Sequence, residues 1–213
     1  MNITRIPVSP FVELTYILWT ADGGEAIVVD PGMMTEAERE EVAHFLDSHH
    51  LTLKHVLISH MHIDHVASAA WLAQRYSAPI EGGSSDEIMG STLPLQAKHF
   101  RVPIDVPMLK FDRYLSHGDI ITLGNEQIHV REVPGHSPGS LVFYLPDSNM
   151  VISGDTLFAG SIGRTDLPGG DYRTLINAIT EQLLTLPDDT LVYPGHGPET
   201  TIGDERRNNP FLC

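Results

Sequence analysis

The segment Ser59-His60-Met61-His62-Ile63-Asp64-His65 puts four side chains that can bind a metal ion within six consecutive residues. Alternate side chains of an extended chain share one side, so His60 and His62 can address one cation. Asp64 and His65 lie further along and can serve a neighbouring one. Two cations are therefore expected. The only cysteine, Cys213, is the last residue, which excludes internal disulfides and argues against a thiol nucleophile or thiolate ligand. The chemistry falls to imidazoles and carboxylates. Such ligands suit zinc first, with iron or manganese as alternatives.

The remaining ligands are suggested by position. His136, Asp155 and His196 each follow a glycine (Gly135, Gly154, Gly195) just past an apolar run, and His60 follows the run ending at Ile58. Strand ends present loop side chains to a common cleft, and glycine permits a sharp turn there. Pro134-Gly135-His136-Ser137-Pro138 recurs as Pro194-Gly195-His196-Gly197-Pro198, so one device places a histidine twice. His44, His49, His50, His55, His99, His117 and His129 lack this context and read as surface or structural residues.

These positions need strands to carry them. Apolar runs at Ile3–Pro7, Leu14–Trp19, Ala26–Val29 and His55–Ile58 predict strands, with a helix over residues 36 to 49 started by the capping box of Thr35 and Glu38. A second helix is predicted over Val66–Tyr76. Residues 80 to 118 carry Pro94, Pro103 and Pro107 and read as irregular cover with room for a short helix. Strands return at Ile120–Leu123, Gln127–Val133, Leu141–Leu145 and Met150–Ser153, with Gly124-Asn125 as a hairpin turn. A helix over Tyr172–Leu184 and a strand at Thr190–Tyr193 follow. Two rounds of strands and helices fit packed sheets with helices outside, an α+β arrangement.

At 213 residues and 41% hydrophobic content, one domain over 1–213 is expected. The 28 acidic against 13 basic residues, a formal charge of −15, argue against nucleic acid as a partner, since phosphate contacts need clustered Lys and Arg. No signal peptide or membrane span is apparent, so a cytoplasmic protein acting on a small molecule is expected. Oligomeric state leaves no trace in the sequence.

Together the motif, the three later ligands and the Val29-Asp30-Pro31-Gly32 turn resemble the metallo-β-lactamase superfamily. The resemblance implies a four-layer αββα sandwich. It implies that His60, His62 and His136 hold the first metal, that Asp64, His65 and His196 hold the second, and that Asp155 bridges them. Within the superfamily the chain is similar to short glyoxalase II-like thioester hydrolases. That likeness implies attack of a metal-bridging hydroxide on a thioester such as S-lactoylglutathione, with Asp64 and Asp155 as the catalytic carboxylates. A thiolate leaves readily, so no general acid is demanded.

Three departures bear on substrate. The helical C-terminal domain of glyoxalase II proper is expected to be missing. Pro198 stands where a tyrosine is usual, and Asp166 where an aromatic glutathione contact is usual. Arg164 is a candidate for gripping a substrate carboxylate, and an ion pair with Asp166 that stiffens the loop is an equal reading. Persulfide dioxygenases, which use one iron at the equivalents of His60, His136 and Asp155, resemble the chain through Gly163-Arg164-Thr165-Asp166 and form the rival reading. A lactonase is a further one.

Overall fold

Along β3 (Glu25–Val29), Ile27 and Val29 pack to one side of a sheet while Ala26 and Val28 pack to the other, all fully buried. A strand with apolar residues on both faces must be covered twice, and that requirement generates the layers. The computed structural model describes residues 1–212; Cys213 lies outside the described residues. The first sheet runs β1 (Asn2–Val8), β2 (Glu13–Trp19), β3, β4 (Thr52–Ile58), β5 (Ile80–Gly83) and β6 (Arg113–Leu115) in that spatial order. It is antiparallel up to β3 and parallel beyond.

The second sheet has the order β14 (Thr200–Thr201), β13 (Leu191–Pro194), β10 (Met150–Gly154), β9 (Leu141–Leu145), β8 (Glu126–Glu132) and β7 (Ile120–Leu123), with β10 and β13 parallel. A small pair, β11 (Leu157–Phe158) and β12 (Ser161–Ile162), stands beside it. Tyr16, Leu18, Ile27, Val29 and Leu57 of the first sheet meet Ile128, Val130, Phe143, Leu145 and Ile152 of the second in one core between the sheets.

The outer faces are covered by helices. On the first sheet, Val28, Val56 and Ile58 pack with residues of α1 (Glu36–Ser48), α2 (Ile63–Val66), α3 (Ala69–Tyr76), α4 (Glu87–Gly90) and α5 (Leu93–Phe100). On the second, Val142, Val151 and Val192 pack with α6 (Tyr172–Ala178), its wide continuation Ile179–Leu183, and α7 (Ile202–Asn208). The result is helix, sheet, sheet, helix: the αββα sandwich. No helix among the described residues is long and apolar enough to cross a membrane.

Some elements differ from the sequence reading. The capping box at Thr35 forms as expected, with Glu38 accepting from the Thr35 N–H at 2.9 Å. The helix expected over Val66–Tyr76 instead starts at Ile63 and is interrupted at Ser68. The Ser68 hydroxyl donates to the Met33 carbonyl at 2.7 Å and accepts from Arg39 Nε at 2.8 Å. Residues 80 to 118 contain two strands, β5 and β6, as well as helices. The Gly82-Gly83 pair hid β5; a side chain at Gly82 would strike the Phe111 ring, and one at Gly83 the Gly139 carbonyl. The strand β14 and helix α7 were also not read from sequence.

Candidate metal centre

All seven expected ligands meet between the ends of β4, β8, β10 and β13, the four strand ends anticipated from the sequence. His60 Nε2 and His62 Nδ1 each approach His136 Nε2, at 3.2 and 2.9 Å. On the other side Asp64, His65 and His196 form a second trio, with Asp64 Oδ2 3.4 Å from His196 Nε2. Asp155 lies between the trios. Its Oδ2 is 3.7 Å from both His136 Nε2 and His196 Nε2, and its Oδ1 is 3.4 Å from His65 Nε2. The chain is extended only as far as His62, which caps the α2 turn, so the helical turn rather than continued alternation delivers Asp64 and His65.

The surrounding hydrogen bonds fix which nitrogens face inward. His136 Nδ1 donates to the Arg164 carbonyl at 2.8 Å, His196 Nδ1 to the Phe11 carbonyl at 3.1 Å, and His65 Nδ1 to Asp30 Oδ2 at 3.0 Å. His60 Nδ1 lies 3.0 Å from Ser59 Oγ, whose own proton goes to Asp30 Oδ2 at 2.6 Å, so His60 is the donor in that contact. Four neutral imidazoles arranged in this way each turn an Nε2 lone pair toward the centre. Two of those lone pairs, on His60 and His136, face each other across 3.2 Å. They repel unless a positive charge lies near both. His65 Nε2 and Asp155 Oδ1 are buried with no hydrogen-bond partner, a costly state in a protein interior. Convergent lone pairs and orphaned buried acceptors are what a cation would satisfy, and the donor set fits one.

Titration follows the same division. Burial, reinforced by neighbouring imidazoles, holds His60 well below the usual histidine range. Burial and His136 push His62 down to about 4. Burial also lowers His136 despite the Asp155 carboxylate. In the second trio burial opposes charge on His65, but the Asp155 and Asp30 carboxylates outweigh it and raise the ring's pKa. His196 is raised against its burial by Asp64 and Asp155, and Asp64 is in turn lowered by His196 and His65. The shifts favour neutral rings in the first trio, whereas in the second the neighbouring carboxylates favour a proton with which a cation would compete.

Glycine serves two purposes at these strand ends. Gly135 and Gly154 have positive φ, +130° and +49°, as a sharp turn requires. Gly195 has no such dihedral and is needed for space: a Cβ there would lie 2.4 Å from Asp155 Oδ1.

Three further acids lie at or beside the centre. Asp30 receives Ser59 N–H, Ser59 Oγ–H and His65 Nδ1–H, and so orients both trios at once. Its turn is legible in the sequence, but its role is not. Asp86, fully buried, accepts from Met61 N–H at 3.1 Å, Ser137 Oγ–H at 2.7 Å and Gly139 N–H at 2.5 Å, tying the first motif to the His136 loop. Glu13, also fully buried, has Oε1 4.0 Å from His65 Nδ1 and is held toward its neutral form by burial. Arg164 makes the bidentate pair with Asp166 at 2.8 and 2.9 Å that the sequence reading set beside substrate contact.

Asp30→Asn is expected to lower metal affinity by roughly 10- to 100-fold, because it exchanges a carboxylate acceptor behind His65 for an amide. Competition against a chromophoric chelator measures this, and unchanged affinity would remove Asp30 from the supporting shell.

This fold and site place the chain in the metallo-beta-lactamase superfamily, whose sequence model matches residues 8–196. Among its relatives, the chain is 39% identical to the hydroxyacylglutathione hydrolase GloC of Haemophilus influenzae, over 100% of this chain and 98% of that protein. The crystal structure of the BLEG-1 B3 metallo-beta-lactamase superposes with a TM-score of 0.85 at 34% identity, covering 99% of each chain. The di-iron-bound form of TTHA1623 gives 0.84 at 36% identity, covering 98% of this chain and 100% of that one.

Proposed function

We propose that this chain is a dinuclear metal-dependent thioester hydrolase, with S-lactoylglutathione as the first substrate to test. The carrying observation is the pair of trios either side of Asp155, each with lone pairs aimed inward and backed by protein acceptors. The likeness to GloC, described as a hydroxyacylglutathione hydrolase, supports the thioester, and the di-iron form of TTHA1623 supports two metals while leaving iron beside zinc and manganese.

His60, His62 and His136 would hold one cation; Asp64, His65 and His196 the other; Asp155 would reach both. Bound there, divalent cations supply an acidified water, with a pKa near 7 in zinc enzymes, and an electrophile for a carbonyl oxygen. Asp155, ionised between the trios, orients an entering water by accepting its proton in a hydrogen bond, and Asp64 flanks it. The hydrogen bonds to Arg164, Phe11, Asp30 and Ser59 keep the rings from turning as charge develops.

Thiol release from S-lactoylglutathione, read together with metal content and oxygen uptake, tests the reading. Turnover with two metals per chain and no oxygen consumption is expected. Oxygen uptake on a persulfide with one iron per chain would replace it with the dioxygenase, and faster turnover of lactones than of thioesters would replace it with the lactonase.

The proton balance predicts how metal content depends on pH. A cation entering the second trio competes with protons that the carboxylates favour on His65 and His196, so its binding strengthens as pH rises. The first trio is already deprotonated, and His62 resists protonation down to about 4. Dialysis from pH 8 to pH 5 should therefore remove one metal well before the other. Simultaneous loss of both would contradict the assignment.

A further inference from the structure

A cavity of about 910 Å³ opens directly onto His62, Asp64, His136 and Asp155, so whatever reacts at the centre must occupy it. Its walls are apolar. Phe11 and Phe100, which meet edge to face at 5.3 Å, line it with Ile88, Met89, Leu167 and Pro168. Ile88 is 77% exposed and Phe100 48%, so the chain's own packing does not fill this surface. Large exposed apolar side chains gathered at the mouth of a cleft mark a binding surface rather than a core.

The same cavity is poor in positive charge. Arg164 is the only Lys or Arg among its lining residues, and two of its five N–H donors, on Nε and Nη2, go to the Asp166 carboxylate. The chain as a whole carries −15. Away from the metal centre, a ligand with two carboxylates, such as a glutathione thioester, would find one cationic side chain on these walls, and that one already paired. His99 and Gln96, which line the α5 side, offer neutral hydrogen-bonding groups instead.

We infer that the preferred substrates are thioesters bearing an uncharged, apolar tail, held between the Phe11–Phe100 pair, Ile88 and Met89, and Leu167 and Pro168. The inference rests on the hydrolase reading and specifies its substrate class. The tail can belong to the acyl group or to the thiol; the shared chemistry is an alkyl chain several carbons long beside a scissile carbonyl.

The metal-loaded protein is assayed with S-acetyl-, S-butanoyl- and S-hexanoyl-N-acetylcysteamine, with S-hexyl thioacetate, and with S-lactoylglutathione. Burial of each methylene should raise kcat/KM about three- to fourfold, mainly through KM. A rise along the acyl series assigns the tail to the acyl side, and a fast S-hexyl thioacetate assigns it to the thiol side. Phe100→Ala should flatten the dependence on chain length. Leu95→Ala, which removes a 70% exposed side chain of α5 that does not line the cavity, should leave it intact.

Calorimetric binding of the thioethers S-ethyl- and S-hexyl-N-acetylcysteamine gives a readout without turnover, and the hexyl compound should bind more tightly to the wild type than to Phe100→Ala. Hydrolysis of thioesters with no dependence on either chain, or S-lactoylglutathione outrunning every alkyl substrate, would overturn the inference and leave the hydrolase reading standing. Absence of all thioester turnover would instead defeat the hydrolase reading, and a chain-length effect in the binding measurement would still support the apolar site.

Discussion

Replacing Asp155 by alanine is expected to lower the turnover of S-lactoylglutathione, or of any better thioester, by roughly a thousandfold. That corresponds to about 4 kcal/mol of lost transition-state stabilisation. Asp155 is the one side chain that approaches His65, His136 and His196 together, at 3.4 to 3.7 Å. Its removal therefore separates the two trios electrostatically, while each keeps its own three ligands. Metal analysis should accordingly show weakened rather than abolished binding. The fold should persist, because among the described residues the Asp155 Oδ1 has no hydrogen-bond partner to lose. A circular dichroism spectrum like the wild type's with near-zero turnover is the predicted pair of results. A rate within tenfold of the wild type would remove Asp155 from the chemistry.

Stripping the protein with a strong chelator is expected to abolish hydrolysis and to lower Tm, both restored by added zinc, manganese or ferrous ion. The structural reason is the opposition of His60 and His136 lone pairs at 3.2 Å and the two orphaned acceptors on the other side. Those groups are unfavourably placed without a cation, so binding stabilises the native state by RT ln(1 + [L]/Kd), about 4 kcal/mol at a thousandfold excess over Kd. Which ion restores the highest rate identifies the working metal. Activity that survives complete removal, verified by elemental analysis, would end the metallohydrolase reading.

Much of this arrangement could be read from residue order. The histidine-rich turn lies in one contiguous run, and His136, Asp155 and His196 share a post-glycine, strand-end setting that periodicity reveals. The strands of both sheets were legible wherever β-branched and aliphatic residues dominate, as in β2, β3, β9 and β10. Legibility failed where the physics depends on partners distant in sequence. β5, with the sequence IEGG, is a strand because it pairs with β4 and β6, and its glycines leave room for Phe111 and Gly139, which no local propensity records. Asp86 and Glu13 are single acids in unremarkable contexts, and even Asp30, whose turn is legible, owes its role to N–H and O–H groups that reach it after folding. His99 reads as a surface or structural residue and is exposed; that it also lines the cavity follows from where α5 packs.

The last expected ligand, His196, is anchored to a segment near the start of the sequence. His196 Nδ1 reaches the Phe11 carbonyl, Leu14 N–H bonds the Gly195 carbonyl at 2.9 Å, and Tyr16 Oη–H the Pro194 carbonyl at 2.7 Å. Partners nearly two hundred positions apart come together only after an expensive loop closure, so they belong to the slow steps of assembly. A chain emerging from the ribosome would complete the His60, His62 and His136 cluster first and the His196 side last. Ion capture at the second cluster would then report that β13 has joined the second sheet and met β2.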